Sequence, residues 1–185
     1  MKSLFITAVV VLCASSLYAQ WGEEALGEKP EWQRRVFTGG GLGASFNSYY
    51  DYIAVSPLIG YRLTERLAAG VQVQYRYTNY KQYVPEVSTN DWGVSPFLRF
   101  SVFGPVFLHA EYEYLNYQYI RAGEKYRQGF NSFMAGGGFF QPIGRNAGFY
   151  IVALYNFSYV DPAGSNTISP YTNPLVLRVG VTAGF

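Results

Sequence analysis

From Leu175 to Phe185 every odd position is apolar, while Arg178, Gly180, Thr182 and Gly184 occupy the other face. Apolar residues recurring every second position give a β-strand one greasy face and one polar face. The stretch closes on an aromatic ring. Seven earlier segments repeat the pattern, and together they constrain the chain to an all-β architecture.

The segments begin after Arg35. The first, from Val36 to Phe46, sets Val36, Thr38, Leu42 and Phe46 against Gly39, Gly41, Gly43 and Ser45. The second, third, fourth and fifth carry their apolar faces at Ile53 to Leu63, Leu67 to Tyr77, Trp92 to Val102 and Val106 to Tyr114. The sixth, about 129–140, is glycine-rich and its phase is ambiguous. The seventh runs from Phe149 to Tyr159, and the terminal stretch is the eighth. Strands of about 11 residues suit a tilted crossing of a bilayer. Thr64-Glu65-Arg66, Gly104-Pro105 and roughly 141–147 read as short turns. The connections near 48–51, 79–90, 120–128 and 161–171 are mostly longer and polar.

Charge placement gives the alternation a direction. Arg62, Arg76, Arg99, Glu111, Glu113 and Arg178 all fall on the polar face of their strands. A Lys or Arg facing lipid at mid-bilayer costs about 2–4 kcal/mol, so their absence from the apolar face is expected if lipid lies outside. The chain is 19 % aromatic but only 14 % charged, where a soluble domain carries about 25 % charged residues. Past residue 19 no stretch is apolar for 18 residues, so a second helical span is not expected. With the first strand running outward, Tyr75, Tyr77, Trp92, Tyr114, Phe157 and Tyr159 lie near the outer rim, and Phe149 and Phe185 near the inner one. Aromatic girdles of this kind mark the two interfaces of a membrane barrel. The expected fold is an eight-stranded antiparallel up-and-down transmembrane β-barrel with a closed polar lumen. A soluble barrel of lipocalin type would invert the faces, and alternation alone admits it. The signal segment, the girdles and the terminal Phe weigh against it.

The N-terminus agrees on the compartment. Lys2, the apolar run Leu4 to Ala14 and the small residues before Gln20 form a secretory signal, with cleavage expected after Ala19. A lipoprotein reading of Cys13 meets Leu12, too large for the small residue that such processing wants. Cleavage would remove Lys2 and the only cysteine, taking the net charge from +2 to +1. The chain would then hold no disulfide and no thiol nucleophile, and so small a charge gives no electrostatic case for nucleic acid. Residues 20–34 read as a short periplasmic segment, acidic and broken by Pro30, where Trp21 and Trp32 could anchor at an interface or meet a partner. Residues 35–185 form the barrel.

An eight-stranded barrel has an interior that side chains can fill, and an unpaired buried charge is costly. Arg99, Glu111, Glu113 and Arg178 are therefore expected to form one lumen network, with Arg62 and Arg76 nearer the ends and Arg99 level with His109 or Glu111. A proton or ion pathway is the sharper alternative to this plug. His109 is the sole histidine; Ser101 could lie nearby, but a nucleophile inside a filled barrel meets no lipid. The glycine runs 39–41 and 136–138 lack the helix and the Lys-Ser/Thr of a phosphate loop, and more plainly make room for Arg and Phe from facing strands. No His/Cys/Asp spacing suggests a metal, and no cofactor is expected.

In signal, strand number and closing Phe the chain resembles the small outer-membrane barrels of the OmpX and OmpA-transmembrane kind. The stretch Asn173 to Gly180 is similar to small barrels of Bacteroidota. The resemblance implies an outer-membrane location, a non-enzymatic structural or accessory role, and Val179, Val181 and Phe185 as the signal read by the barrel-assembly machinery. It implies outer-membrane lipid and lipopolysaccharide as surroundings. Two alternatives stand beside it: a dedicated subunit of a larger outer-membrane protein complex for secretion, uptake or barrel insertion, and a lipid A-modifying enzyme built on His109.

Overall fold

The computed structural model describes residues 30–46, 48–81, 85–121, 124–144, 146–161, 168–171 and 173–184. The expected signal segment, Trp21 and Phe185 lie outside these residues. Residues up to Arg34 form one unit and those from Arg35 another. Of the first unit, the described part is a single helical turn, α1 (Glu31–Arg34), whose start is fixed by Gln33 donating its N–H to the Pro30 carbonyl at 2.9 Å.

The second unit is an all-β, closed, eight-stranded antiparallel barrel in which each strand pairs with its neighbours in sequence and β1 meets β8. The strands are β1 (Val36–Phe46), β2 (Tyr50–Arg62), β3 (Leu67–Tyr80), β4 (Val87–Phe103), β5 (Val106–Arg121), β6 (Glu124–Pro142), β7 (Ala147–Asn156) and β8 (Leu175–Ala183). Up-and-down order follows from hairpin connections, since antiparallel neighbours need only a short turn while parallel ones need a long crossover. The Thr64 hydroxyl accepts from the backbone N–H groups of Arg66 and Leu67 at 3.2 and 2.9 Å, closing the β2–β3 turn. Gly104, at a φ of 50°, supplies the left-handed residue of the β4–β5 turn.

Two connections differ from expectation. Residues 120–121 and 124–128 are strand rather than loop: β5 and β6 stay in register up to Arg121 opposite Glu124. Residues 79–90 shrink to a connection between Tyr80 and Val87. The polar residues that suggested loops are cross-strand partners instead, as where the Tyr119 and Tyr126 rings stack at 5.8 Å and Arg127 donates to the side-chain Oδ1 of Asn116 at 2.7 Å. A strand of 19 residues is about 60 Å long at about 3.3 Å per residue. That exceeds an apolar band of about 25 Å even with a strand tilt of about 40°. β6 therefore projects beyond such a band, where charged side chains are well solvated. Its ambiguous phase resolves with Ser132 and Met134 buried and Phe133 and Phe139 exposed.

The alternation runs through the whole wall. Leu42, Ile53, Ile59, Val73, Leu98, Leu108, Leu177, Val179 and Val181 are exposed outward, while the buried residues face the lumen. β7 ends at Asn156, so Phe157 and Tyr159, expected at the end of the seventh strand, lie in the connection that follows it. Tyr77, Trp92 and Phe157 are exposed, and Tyr75, Tyr114, Phe149 and Tyr159 are half-buried.

Candidate functional site

The lumen is layered. Nearest the short turns lies an aromatic layer of Phe37, Phe97, Phe107 and Tyr150, buried with Leu58, Met134, Val152 and Leu154. Each of these rings sits opposite a glycine on a neighbouring strand: Phe37 against Gly60, Phe97 against Gly70, Phe107 against Gly138 and Tyr150 against Gly180. A Cβ on any of these glycines would collide with its ring. Glycine was expected to make room for Arg and Phe from facing strands; each of these glycines makes room for a ring from the adjacent strand. Ring-on-glycine pairing lets a wide ring fit a narrow interior while it covers otherwise bare backbone.

Arg99 belongs to this layer. Its backbone is level with His109, but its guanidinium lies over the rings of Phe107, Tyr150 and Phe97, at 4.5, 4.8 and 5.6 Å from their centroids. Arg99 was expected in one network with Glu111, Glu113 and Arg178; its guanidinium makes cation–π contacts with these rings. Arg62, at the same end, donates to the Gly184 carbonyl at 2.7 Å.

The ionic layer lies above. Glu111 and Glu113 are 2 % and 0 % exposed, so burial would be prohibitive without partners. Arg178 of β8 reaches both, with Nη2 at 2.6 Å from Glu111 Oε1 and 2.9 Å from Glu113 Oε2. Gln74 of β3 donates to Glu113 Oε2 at 2.6 Å and lies 3.4 Å from Arg178 Nη1. His109 Nε2 stands 3.1 Å from Glu111 Oε2, and its ring stacks on Phe97 at 5.3 Å. Tyr171, from the β7–β8 connection, donates its hydroxyl to Glu113 Oε1. Burial, and then the Glu113 carboxylate, push the Tyr171 hydroxyl well above its ordinary pKa, so it remains a donor across the neutral range. The two glutamates are thus covered by one guanidinium, a carboxamide, an imidazole and a phenol, with Arg99 the further cation below.

Toward the loops the lining is polar. Asp91 is 4 % exposed and accepts the Gln118 N–H at 2.9 Å. Arg76 lies 5.9 Å from the Tyr52 ring centroid, and Arg127 also donates to Asn90.

The structure therefore brings together Arg178, Glu111, Glu113 and His109. It leaves Arg99 among rings and sets Arg62 and Arg76 apart, toward opposite ends. Sequence reasoning passed over Asp91, Tyr171 and the whole aromatic layer. Asp91 and Phe97 share the parity of Ser95 and Arg99, so the signal for both was present. Tyr171 follows no strand period and offered none. Among the described residues, no hydroxyl bonds to His109 and no cluster of His, Cys, Asp or Glu side chains is arranged to hold a metal ion.

Fold and lumen define the class: an eight-stranded antiparallel barrel with a filled interior and an apolar exterior. No protein-family model matches the chain, and no curated protein matches its sequence. Among solved structures it is similar to the N-terminal β-barrel domain of OprF from Pseudomonas aeruginosa, at 18 % identity, over 83 % of this chain and 98 % of that one, with a TM-score of 0.46.

Proposed function

We propose that this chain is a non-enzymatic outer-membrane β-barrel protein with a structural or accessory role, held by lipid outside and plugged within. One observation carries the reading. In the strand stretches flanked by exposed apolar side chains, Arg62, Arg76, Asp91, Arg99, Glu111, Glu113 and Arg178 all take lumen-facing positions, while Leu42, Ile53, Val73, Leu98, Leu108 and Leu177 lie outward. Monomeric soluble proteins rarely expose contiguous apolar patches beyond about 600 Å²; a belt around a whole barrel is a lipid-facing surface. The secretory signal expected from the sequence supports the same compartment, with outer-membrane lipid, lipopolysaccharide and the assembly machinery as surroundings.

The aromatic floor and the Arg178–Glu111–Glu113 layer favour a plug over a pore. Membrane fractionation of cells producing the tagged chain, followed by electrophoresis with and without boiling, tests the reading. Outer-membrane recovery with a faster unboiled band is expected. Recovery in the soluble fraction would end it. Conductance in a planar bilayer is expected to stay at baseline, and defined single-channel steps would replace the plug with a pathway.

A further inference from the structure

The outer face of the wall carries a polar patch just beyond the aromatic girdle on β4, β5 and β6. The outward parity set by Leu98, Leu108 and Phe133 continues through Trp92 and Asn90, through Tyr114 and Asn116, and through Gly129, Arg127 and Lys125. Trp92 pairs with Asn116, and Gln118 with Arg127, so Arg127 stands one step of two residues beyond the level of Trp92. At about 3.3 Å per residue and a tilt of about 40°, that step rises about 5 Å along the barrel axis. The headgroup layer on each side of a bilayer is about 5–7 Å thick, and Trp and Tyr gather at its border with the hydrocarbon. Arg127 therefore lies at the level of the headgroups.

Neutral partners fix Arg127 in that place. Its guanidinium donates to Asn116 Oδ1 at 2.7 Å and to Asn90 Oδ1. Both carboxamides give their oxygens to Arg127, and their Nδ2 groups keep their hydrogens free among the described residues. The Tyr114 ring packs on Trp92 at 5.9 Å and sets its hydroxyl beside Gly129, 2.9 Å from where a Cβ would stand. Lys125, exposed two residues further along the same face, has no carboxylate partner among the described residues. The carboxylates nearby are directed elsewhere. Glu124, of opposite parity, accepts the Tyr126 hydroxyl at 2.8 Å, and Glu86 accepts from Asn79 at 2.6 Å. Asp91 is within electrostatic reach of Arg127 but faces the lumen, where it accepts the Gln118 N–H. Two cations and several donors thus share one patch with no anion.

We propose that this patch binds a phosphate monoester of one lipopolysaccharide molecule in the outer leaflet, with the acyl chains below it along the exposed Trp92, Tyr112 and Phe133. The inference rests on the membrane reading above. Three observations select the occupant. A patch that offers only donors calls for a ligand that only accepts, and the N–H groups that Arg127 does not give to Asn90 and Asn116 remain for phosphate oxygens. A phosphate monoester carries about −1.5 to −2 charge near neutral pH, which matches Arg127 and Lys125 together, whereas the diester of an ordinary phospholipid carries a single charge. The patch also sits directly above apolar side chains, as a lipid headgroup sits above its chains. Arg127 is held rigidly for a directed contact, and the flexible stem of Lys125 lets its ammonium follow the second charge.

The test uses the whole chain, produced with its signal segment, recovered from outer membranes in mild detergent and freed of lipid. It is titrated with lipid A, the phosphorylated anchor of lipopolysaccharide, and with the same lipid A after phosphatase treatment, and native mass spectrometry reads the bound fraction. One lipid A per barrel is expected, with the dephosphorylated form at least tenfold weaker. Arg127→Gln with Lys125→Gln should weaken lipid A about thirtyfold and leave the dephosphorylated lipid unchanged. Asn116→Asp, which sets a carboxylate against Arg127, should weaken lipid A while both cations stay. Lys81→Gln, whose ammonium lies 2.8 Å from Asp51, should change neither lipid. Equal binding of the two lipids, an unaffected double variant, or the same loss in Lys81→Gln would each overturn the patch. Displacement of lipid A by equimolar inorganic phosphate would overturn the lipid as its occupant. A barrel recovered from outer membranes that fails these tests loses this inference alone. A chain recovered in the soluble fraction loses the membrane reading first.

Discussion

The β5–β6 hairpin and the β8–β1 junction are built on opposite terms. β5 and β6 are in register over all 16 residues of β5, from Val106 opposite Phe139 to Arg121 opposite Glu124. Among the described residues β1 and β8 share three such pairs. What the junction lacks in backbone ladder it regains through the lumen. Arg178 of β8 grips Glu111 and Glu113 of β5, and Tyr171, just before β8, bonds Glu113 as well. Side-chain charge tethers the strand that main-chain pairing holds least. The ionic layer is therefore also the tie that keeps β8 in place.

Cutting that tie should have the largest effect. Arg178→Leu leaves two buried carboxylates without their cation, and breaking a buried pair from one side costs about 3–5 kcal/mol. A urea unfolding titration of the barrel in phospholipid vesicles should show that loss, with β8 the first segment to yield to protease. An unchanged midpoint would mean that the β7–β8 ladder alone secures the strand. Next in size is a contrast between two outward arginines. Val73→Arg, on the well-paired β3, should lose about 2–4 kcal/mol. Leu42→Arg should lose clearly less in the same titration, because Leu42 lines a cavity together with Arg76, Asp91 and Arg178 and the guanidinium can turn inward to it. Equal losses would mean that this cavity offers no polar refuge.

Tyr171→Phe is a smaller change: a hydrogen bond to a charged group contributes about 1.5–3 kcal/mol. Because its folded pKa is raised from 10.0, the contribution of Tyr171 is complete below pH 10 and falls as pH rises above it. The parent should accordingly lose more stability on crossing pH 10 than the Phe variant does, as read by unfolding titrations on both sides of that value. Least perturbing is hydrogen exchange on the unaltered barrel. Amides of Leu42 to Phe46 should exchange well before those of Leu108 to Asn116, and matched rates would indicate that the junction is as closed as the hairpin.

Most of the wall was legible in the sequence because it obeys one rule. Period-two alternation sets which residues face outward, and Arg62, Arg76, Glu111, Glu113 and Arg178 kept the parity that it assigned them. The lumen obeys a second rule that alternation does not contain. Inward positions must also fill a cylinder, so Phe37, Phe97 and Phe107 count there as much as the charges do, and Arg99 follows the rings. Attention to charged residues alone hides that layer. Strand ends were misjudged for a related reason. Arg121, Glu124, Lys125 and Arg127 look like a loop until β5 and β6 are seen to continue beyond the apolar belt. The short β1–β8 ladder depends on the path of two strands distant in sequence, which local pattern does not encode.

The ring-on-glycine pairs also bear on spectroscopy. Phe37, Phe97, Phe107 and Tyr150 each face the bare backbone of one glycine across a different strand pair. Ring currents should therefore move the α-proton resonances of Gly60, Gly70, Gly138 and Gly180 far from their random-coil positions. Four well-separated signals would then report, one hairpin at a time, when neighbouring strands zip together, so the barrel carries intrinsic probes of its own assembly.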